Sequence, residues 1–155
     1  MMVLLLSFLL GGVDGLRSLT GPALVCWAAH LGWLHFAGTK LAFVDRPVTL
    51  IVFTLLAIVE LVVDKLPGTP ARTAPPGLIA RIALGGACGL AVATSAGMST
   101  LFAAAVASIG AVAGAFAGYR IRRAIVSQMR LPDFAVALAE DAIAIAGGFL
   151  ILSRF

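Results

Sequence analysis

Residues 1–36 read MMVLLLSFLLGGVDGLRSLTGPALVCWAAHLGWLHF, and the way this stretch is divided decides the fold. Two apolar runs, Met2–Val13 and Ala23–Phe36, flank a polar break, Asp14-Gly15-Leu16-Arg17-Ser18-Leu19-Thr20-Gly21-Pro22. As a helix the first run is about 18 Å long, short of the about 20 residues that cross a hydrocarbon core. It lacks the basic start of a signal peptide, and Val13-Asp14-Gly15 is a poor cleavage site. Gly15, Gly21 and Pro22 favour a real break. Two readings stay open: one long helix broken in the middle, or two short helices forming a hairpin.

The rest of the chain is equally apolar. Of 155 residues, 61% are hydrophobic and 12% charged, against about 45–50% and about 25% in soluble domains. That excludes a soluble enzyme and a disordered chain. The net charge of +4 is spread along apolar sequence and makes no basic face for nucleic acid. Cys26 and Cys88 sit in apolar runs without CxxC or His-spaced partners and read as small buried hydrophobes. No Ser-His-Asp pattern, Walker loop, HExxH or cysteine cluster is present, so catalysis has no positive support. No cofactor is expected, and a metal is left open.

Four further spans follow: Val48–Leu66, Leu78–Thr94, Leu101–Tyr119 and Phe134–Ser153. Turn chemistry bounds them. Pro47 opens the first and Pro67-Gly68 closes it; Pro75-Pro76-Gly77 opens the second and Ser95-Ala96-Gly97 closes it; Pro132-Asp133 opens the last. The expectation is an all-α polytopic membrane protein of five to six short helices. It forms a single transmembrane domain over 1–155. Halves 1–67 and 76–155 would have opposite topologies if the chain is an inverted repeat.

Basic residues orient the chain, because cytoplasmic loops are enriched in Lys and Arg. Lys65, Arg72 and Arg81 mark one loop; Arg120, Arg122, Arg123 and Arg130 mark another on the same side. These loops are expected in the cytoplasm of a bacterium, beneath its inner membrane, with the C-terminus outside. Six spans would add Arg17 to the cytoplasmic set and leave Lys40, Arg46 and Arg154 opposite, which favours six elements. Arg120, Arg122 and Arg123 read as topology determinants and headgroup contacts.

Small residues recur at four-residue spacing in Gly110, Gly114 and Gly118, extended by Ala103 and Ala107, and in Gly85, Gly89, Ala93 and Gly97. Such ridges let helices approach closely. The two spans are expected to pack on each other, with a homo-oligomer contact as the other reading. His30 reads as a packing residue, and His35 with Trp27 and Trp33 as an interfacial belt.

Charges within the spans are the functional signal. Glu60 and Asp64 share a helix face at i,i+4; Glu140 and Asp141 lie within the last span; Asp14 and Arg17 lie at the break; Arg81 is a turn inside its span. An ionisable group at a helix centre costs about 2.5–3.5 kcal/mol on insertion scales, so it persists when paired or when lining a wet cavity. A structural network would pair Arg17 and Arg81 with Glu60, Glu140 or Asp141. Yet five acids, Asp14, Glu60, Asp64, Glu140 and Asp141, face three bases, Arg17, Lys65 and Arg81. That excess points to a cation or proton.

Gly15-Leu16-Arg17 after an apolar opening, the run Glu60-Leu61-Val62-Val63-Asp64-Lys65-Leu66-Pro67 and the pair Glu140-Asp141 resemble the small bacterial membrane proteins of domain of unknown function 4126. The resemblance covers nearly the whole chain, and the Glu60–Pro67 run is its most specific piece. The family has a polar residue before the proline opening the last helix, where this chain has Leu131. The resemblance implies an integral membrane protein and no activity. The expected function is a small transporter or channel for a cation, or one coupled to protons. Glu60, Asp64, Glu140, Asp141, Asp14, Arg17 and Arg81 would form its ion-binding set. The alternatives are anionic-lipid binding or translocation through the arginines, and a non-transporting structural protein. Expected partners are the bilayer, a small ion or small-molecule substrate, and further copies of the chain.

Overall fold

A computed structural model describes residues 1–66, 73–129 and 132–155. Six α-helices and one short 3-10 turn, Ala42–Asp45, are found there, with no strand among the described residues. They are α1 Met2–Leu16, α2 Thr20–His30, α3 Pro47–Val63, α4 Pro75–Ser95, α5 Thr100–Met129 and α6 Asp133–Leu152. Pro47 and Pro75 stand in the first turns of α3 and α4, where a missing N–H costs no helical bond. The expected closure at Pro67-Gly68 and the basic residues Arg72 and Arg130 lie outside the described residues, as does Leu131. α6 begins at Pro132 without a side-chain cap.

The ambiguous first region is two helices. Arg17 is extended (φ −142°, ψ 108°), and the chain turns there. Val13 of α1 and Leu24 of α2 both reach Gly148 on α6, which a continuous helix could not do across eleven residues and about 16 Å of rise. α2 therefore returns from the break toward the end where α1 began. It opens away from α1 to pack on α3, α4 and α6. Its direction is fixed by Trp27 donating to Thr54 Oγ1 of α3 and by His35 N donating to Ser95 Oγ at the end of α4.

The remaining contacts give an up-and-down bundle. Phe8, Gly12 and Gly15 of α1 meet Gly110, Gly114 and Ala115 of α5 in ascending order, so these two helices are parallel. Gly85 and Gly89 of α4 meet Ala111, Ala107 and Ala103 in descending order, so α4 runs against them. α1, α3 and α5 thus run toward one end, and α2, α4 and α6 run back. Both chain ends lie at the end opposite the charged residues. Alternation of this kind gives the segments α1–α3 and α4–α6 opposite directions, as it would in any six-helix up-and-down chain.

The small residues are shared out differently from the expectation. The α4 ridge does pack on α5, but against the fully buried alanine row Ala103, Ala107 and Ala111. Gly110 and Gly114 face α1 instead, with backbone against backbone. A Cβ at either would overlap Phe8 or Gly12 main-chain atoms. α5 has 30 residues, about 45 Å, and passes Tyr119 by ten residues. No glycine or proline interrupts 119–131, so only the apolar pattern ends at Tyr119, not the helix.

Helices α4, α5 and α6 are each long and apolar enough to cross a membrane, and α1 and α3 are shorter apolar helices. α3 has Ala57 as its one buried residue and exposes Val48, Ile51, Val52, Leu55, Ile58, Val59 and Val62. Apolar surface on this scale belongs against lipid or protein rather than water. Cys26 and Cys88 are free and buried in the core. Trp33 and Phe149 meet edge to face toward the end opposite the Arg17 side chain, as do Trp27 and His30.

Candidate functional site

The tip between α1 and α2 stops inside the molecule. Gly15 is level with Ala115, and α5 continues from there for 14 residues, about 21 Å. Arg17 therefore projects into the bundle, not into solvent, and it has no exposed surface. Being extended, it leaves the helical path and reaches between α3 and α6. Its Nε donates to Asp141 Oδ1 at 2.6 Å and its Nη1 to Asp64 Oδ2, while Nη2 lies 3.8 Å from Glu140 Oε2.

Further bases close the network. Lys65 Nζ donates to Asp141 Oδ2 at 2.5 Å and to the Leu61 carbonyl at 2.7 Å. Arg81 Nη2 is 4.0 Å from Asp64 Oδ2, and Nη1 donates to the Gly77 carbonyl. Arg122 grips Asp133 with two bonds of 2.8 and 2.7 Å and lies 3.7 Å from Glu140. Paired bonds from one guanidinium to one carboxylate are the geometry in which arginine binds most strongly. Among the described residues, four cations thus meet four carboxylates, drawn from the α1–α2 break, the end of α3, and α4, α5 and α6. The site lies about 10 Å inward from the starts of α4 and α6.

Glu60 has a different partner from the expected arginine. One oxygen accepts from Ser18 N (2.7 Å) and Ser18 Oγ (2.5 Å), and the other accepts from Leu19 N (2.8 Å). These groups stand at the start of α2, which has no cap of its own. A helix start leaves donors unsatisfied and carries partial positive charge. A carboxylate from α3 therefore caps α2 and ties the tip to its neighbour.

Of the seven expected site residues, the structure brings together Arg17, Asp64, Arg81, Glu140 and Asp141. It places Glu60 beside them as a cap and sets Asp14 apart. Asp14 is fully buried, and its neighbours are the Cys88 thiol, the Gly21 N–H and, farther off, Glu60. Lys65, expected only as a candidate base, joins the network. Arg122 was expected as a headgroup contact and is instead bound to Asp133 and Glu140. No group of three or more His, Cys, Asp or Glu suited to a metal occurs among the described residues.

An all-helical chain with three membrane-length apolar helices and an ionic centre at an internal helix break is a polytopic membrane protein. The chain belongs to the family described as Domain of unknown function (DUF4126), whose profile matches residues 4–153. No curated protein and no solved structure matches it.

Proposed function

We propose that this protein is a small transporter or channel for a cation, or one coupled to protons, with the Arg17 network as its gate. The observation that carries the reading is the concentration of ionisable side chains at an internal helix break in an otherwise apolar chain. Each such group is costly in a membrane, and apolar residues of similar volume would lock helices at least as well. Arg17 is the counter-charge that holds Asp64, Glu140 and Asp141 in the closed arrangement. Displacement of Arg17 would free these carboxylates to bind a cation. Discontinuous helices with charged breaks are how many transporters place an ion site at mid-membrane.

The abundance of basic residues at the charged end supports a cytoplasmic location for it, in a bacterial inner membrane, with both chain ends outside. The exposed apolar length of α3 supports association between copies.

A second reading, a non-transporting scaffold, is favoured by the direct pairing of Arg17, Lys65 and Arg122 with Asp64, Asp141 and Asp133. A thermal-shift screen of the purified protein separates the two, with monovalent and divalent cations, organic cations, a pH series, inorganic phosphate and anionic lipid as probes. A ligand at 100 times its Kd stabilises by about 2.7 kcal/mol. Stabilisation by a cation that disappears in Glu140→Gln supports the ion site. A response to phosphate or anionic lipid alone would move the assignment to lipid handling through the arginines. No response to any probe would favour the scaffold.

A further inference from the structure

Asp14 is the carboxylate that the network leaves over. It has no exposed surface and no cation paired with it among the described residues, and the donors beside its oxygens are the Cys88 thiol and the Gly21 N–H, neither in full hydrogen-bond geometry. Its surroundings can be taken element by element. On α1, Arg17 is one turn away, with its guanidinium directed to α3 and α6. On α2 stands the Gly21 N–H. On α3, Glu60 is held at the start of α2. On α4, Cys88 presents its thiol, and Arg81, a turn beyond Gly85, is directed to Gly77 and Asp64. α5 contributes Ala107 and Ala111, and α6 meets α1 one residue away, at Gly148 against Val13; none of these is titratable.

A carboxylate buried without a cation is so costly that such a group takes up a proton instead. The packing also selects the ligand. Gly21 lies so close that a methyl group there would overlap the Asp14 carboxyl, and Gly85 adjoins the Asp14 Cβ. A metal ion with its coordination shell needs volume at this position; a proton needs none.

We propose that Asp14 is a proton-binding site, and that its loading and unloading is the step coupled to transport. The coupling rests on the transport reading above; the proton site does not. In the closed arrangement one Asp14 oxygen holds a proton taken from water. Arg17 follows Asp14 by three residues, just past the end of α1, and on leaving Asp64 and Asp141 its guanidinium would be the nearest mobile cation in sequence. Its arrival would stabilise the carboxylate and return the proton to water, so opening of the network and proton release are one event.

Infrared spectroscopy of the full chain in lipid nanodiscs at neutral pH tests the site. A protonated-carboxyl stretching band is expected. It is lost in Asp14→Asn, kept in Glu140→Gln and shifted in Cys88→Ala, which removes the adjacent thiol. Absence of the band from the wild type, or its survival in Asp14→Asn, overturns the proposal. Should Asp14→Asn fail to fold, Asp14→Glu and Cys88→Ala must each move the band; a band unmoved by both overturns it equally. Coupling is read in proteoliposomes containing a pH-sensitive dye, where Asp14→Asn is expected to lower proton movement at least about tenfold. Unchanged movement with the band lost would refute the coupling and keep the site. No movement in the wild type would refute the transport reading, and the infrared result would still decide the site.

Discussion

Arg17 and Asp141 are 124 residues apart in sequence and 2.6 Å apart in space, joined from Nε to Oδ1. That bond ties the α1–α2 break to the middle of the last helix. Removing one partner of a buried ion pair costs about 3–5 kcal/mol, because the other charge is left without compensation. Asp141→Ala should therefore lower stability by about that much, as it abandons both Arg17 and Lys65. The double variant Arg17→Leu with Asp141→Leu should cost less than the sum of the single changes, by about 0.5–3 kcal/mol. Unfolding in detergent by a graded denaturant measures both.

Glu60 should behave as a cap. Glu60→Ala is expected to cost about 1–2 kcal/mol, the scale of a lost N-cap. Glu60→Gln should recover part of this, since its amide oxygen still accepts from Leu19 or Ser18. Thermal unfolding of the two variants distinguishes this from an ion-binding role, in which Gln would be as damaging as Ala and the loss would appear in cation-dependent stabilisation.

Gly11, Gly15, Gly110 and Gly114 at the α1–α5 contact should tolerate nothing larger, whereas Gly12 has room for a methyl group. Gly15→Val and Gly114→Val place a side chain in the facing main chain, and overpacking costs about 1–3 kcal/mol or more where backbone must move. Both variants should elute as aggregates in size-exclusion chromatography. Gly147 has open space around its Cβ position, and Gly147→Ala should be neutral or stabilising by up to about 1 kcal/mol, from helix propensity.

The helix directions predict a labelling pattern. Lys40→Cys and Ser153→Cys, both exposed, should react with an impermeant thiol reagent from one face of the membrane. Ser127→Cys, exposed on the far part of α5, should react only from the other. Cys26 and Cys88 are buried and should give little background. Labelling of Lys40→Cys and Ser127→Cys from the same face would contradict the bundle.

Much of the fold was legible because its determinants are local. Proline at 47 and 75, the apolar runs and the Gly15–Pro22 break placed most helix ends to within a few residues, but the run Ala23–Phe36 overshot α2, which ends at His30 ahead of Gly32 in the left-handed region (φ 77°). The end of α5 was not legible, because hydropathy falls at Tyr119 while helix propensity does not. The site was legible as a set of residues and not as a set of bonds. Spacing puts Glu60 and Asp64 on one face, yet it is the rotation of α3 against α2 that gives Glu60 the Ser18 and Leu19 amides and leaves Asp64 to Arg17. The acidic excess likewise depended on which groups were counted. Arg122 and Asp133 also enter the network, while Glu60 is taken by backbone donors and Asp14 stands apart from it.

The central claim, that the Arg17 network gates an ion path, is tested most directly by flux. Purified protein would be reconstituted into liposomes with a pH-sensitive dye inside and imposed sodium, potassium or proton gradients. The account predicts a flux above that of empty liposomes that falls at least about tenfold in Asp141→Asn, and that becomes leaky or is lost in Arg17→Ala while the bundle stays folded. A folded wild type with no flux under any gradient, or a flux that Arg17→Ala and Asp141→Asn leave unchanged, would contradict it.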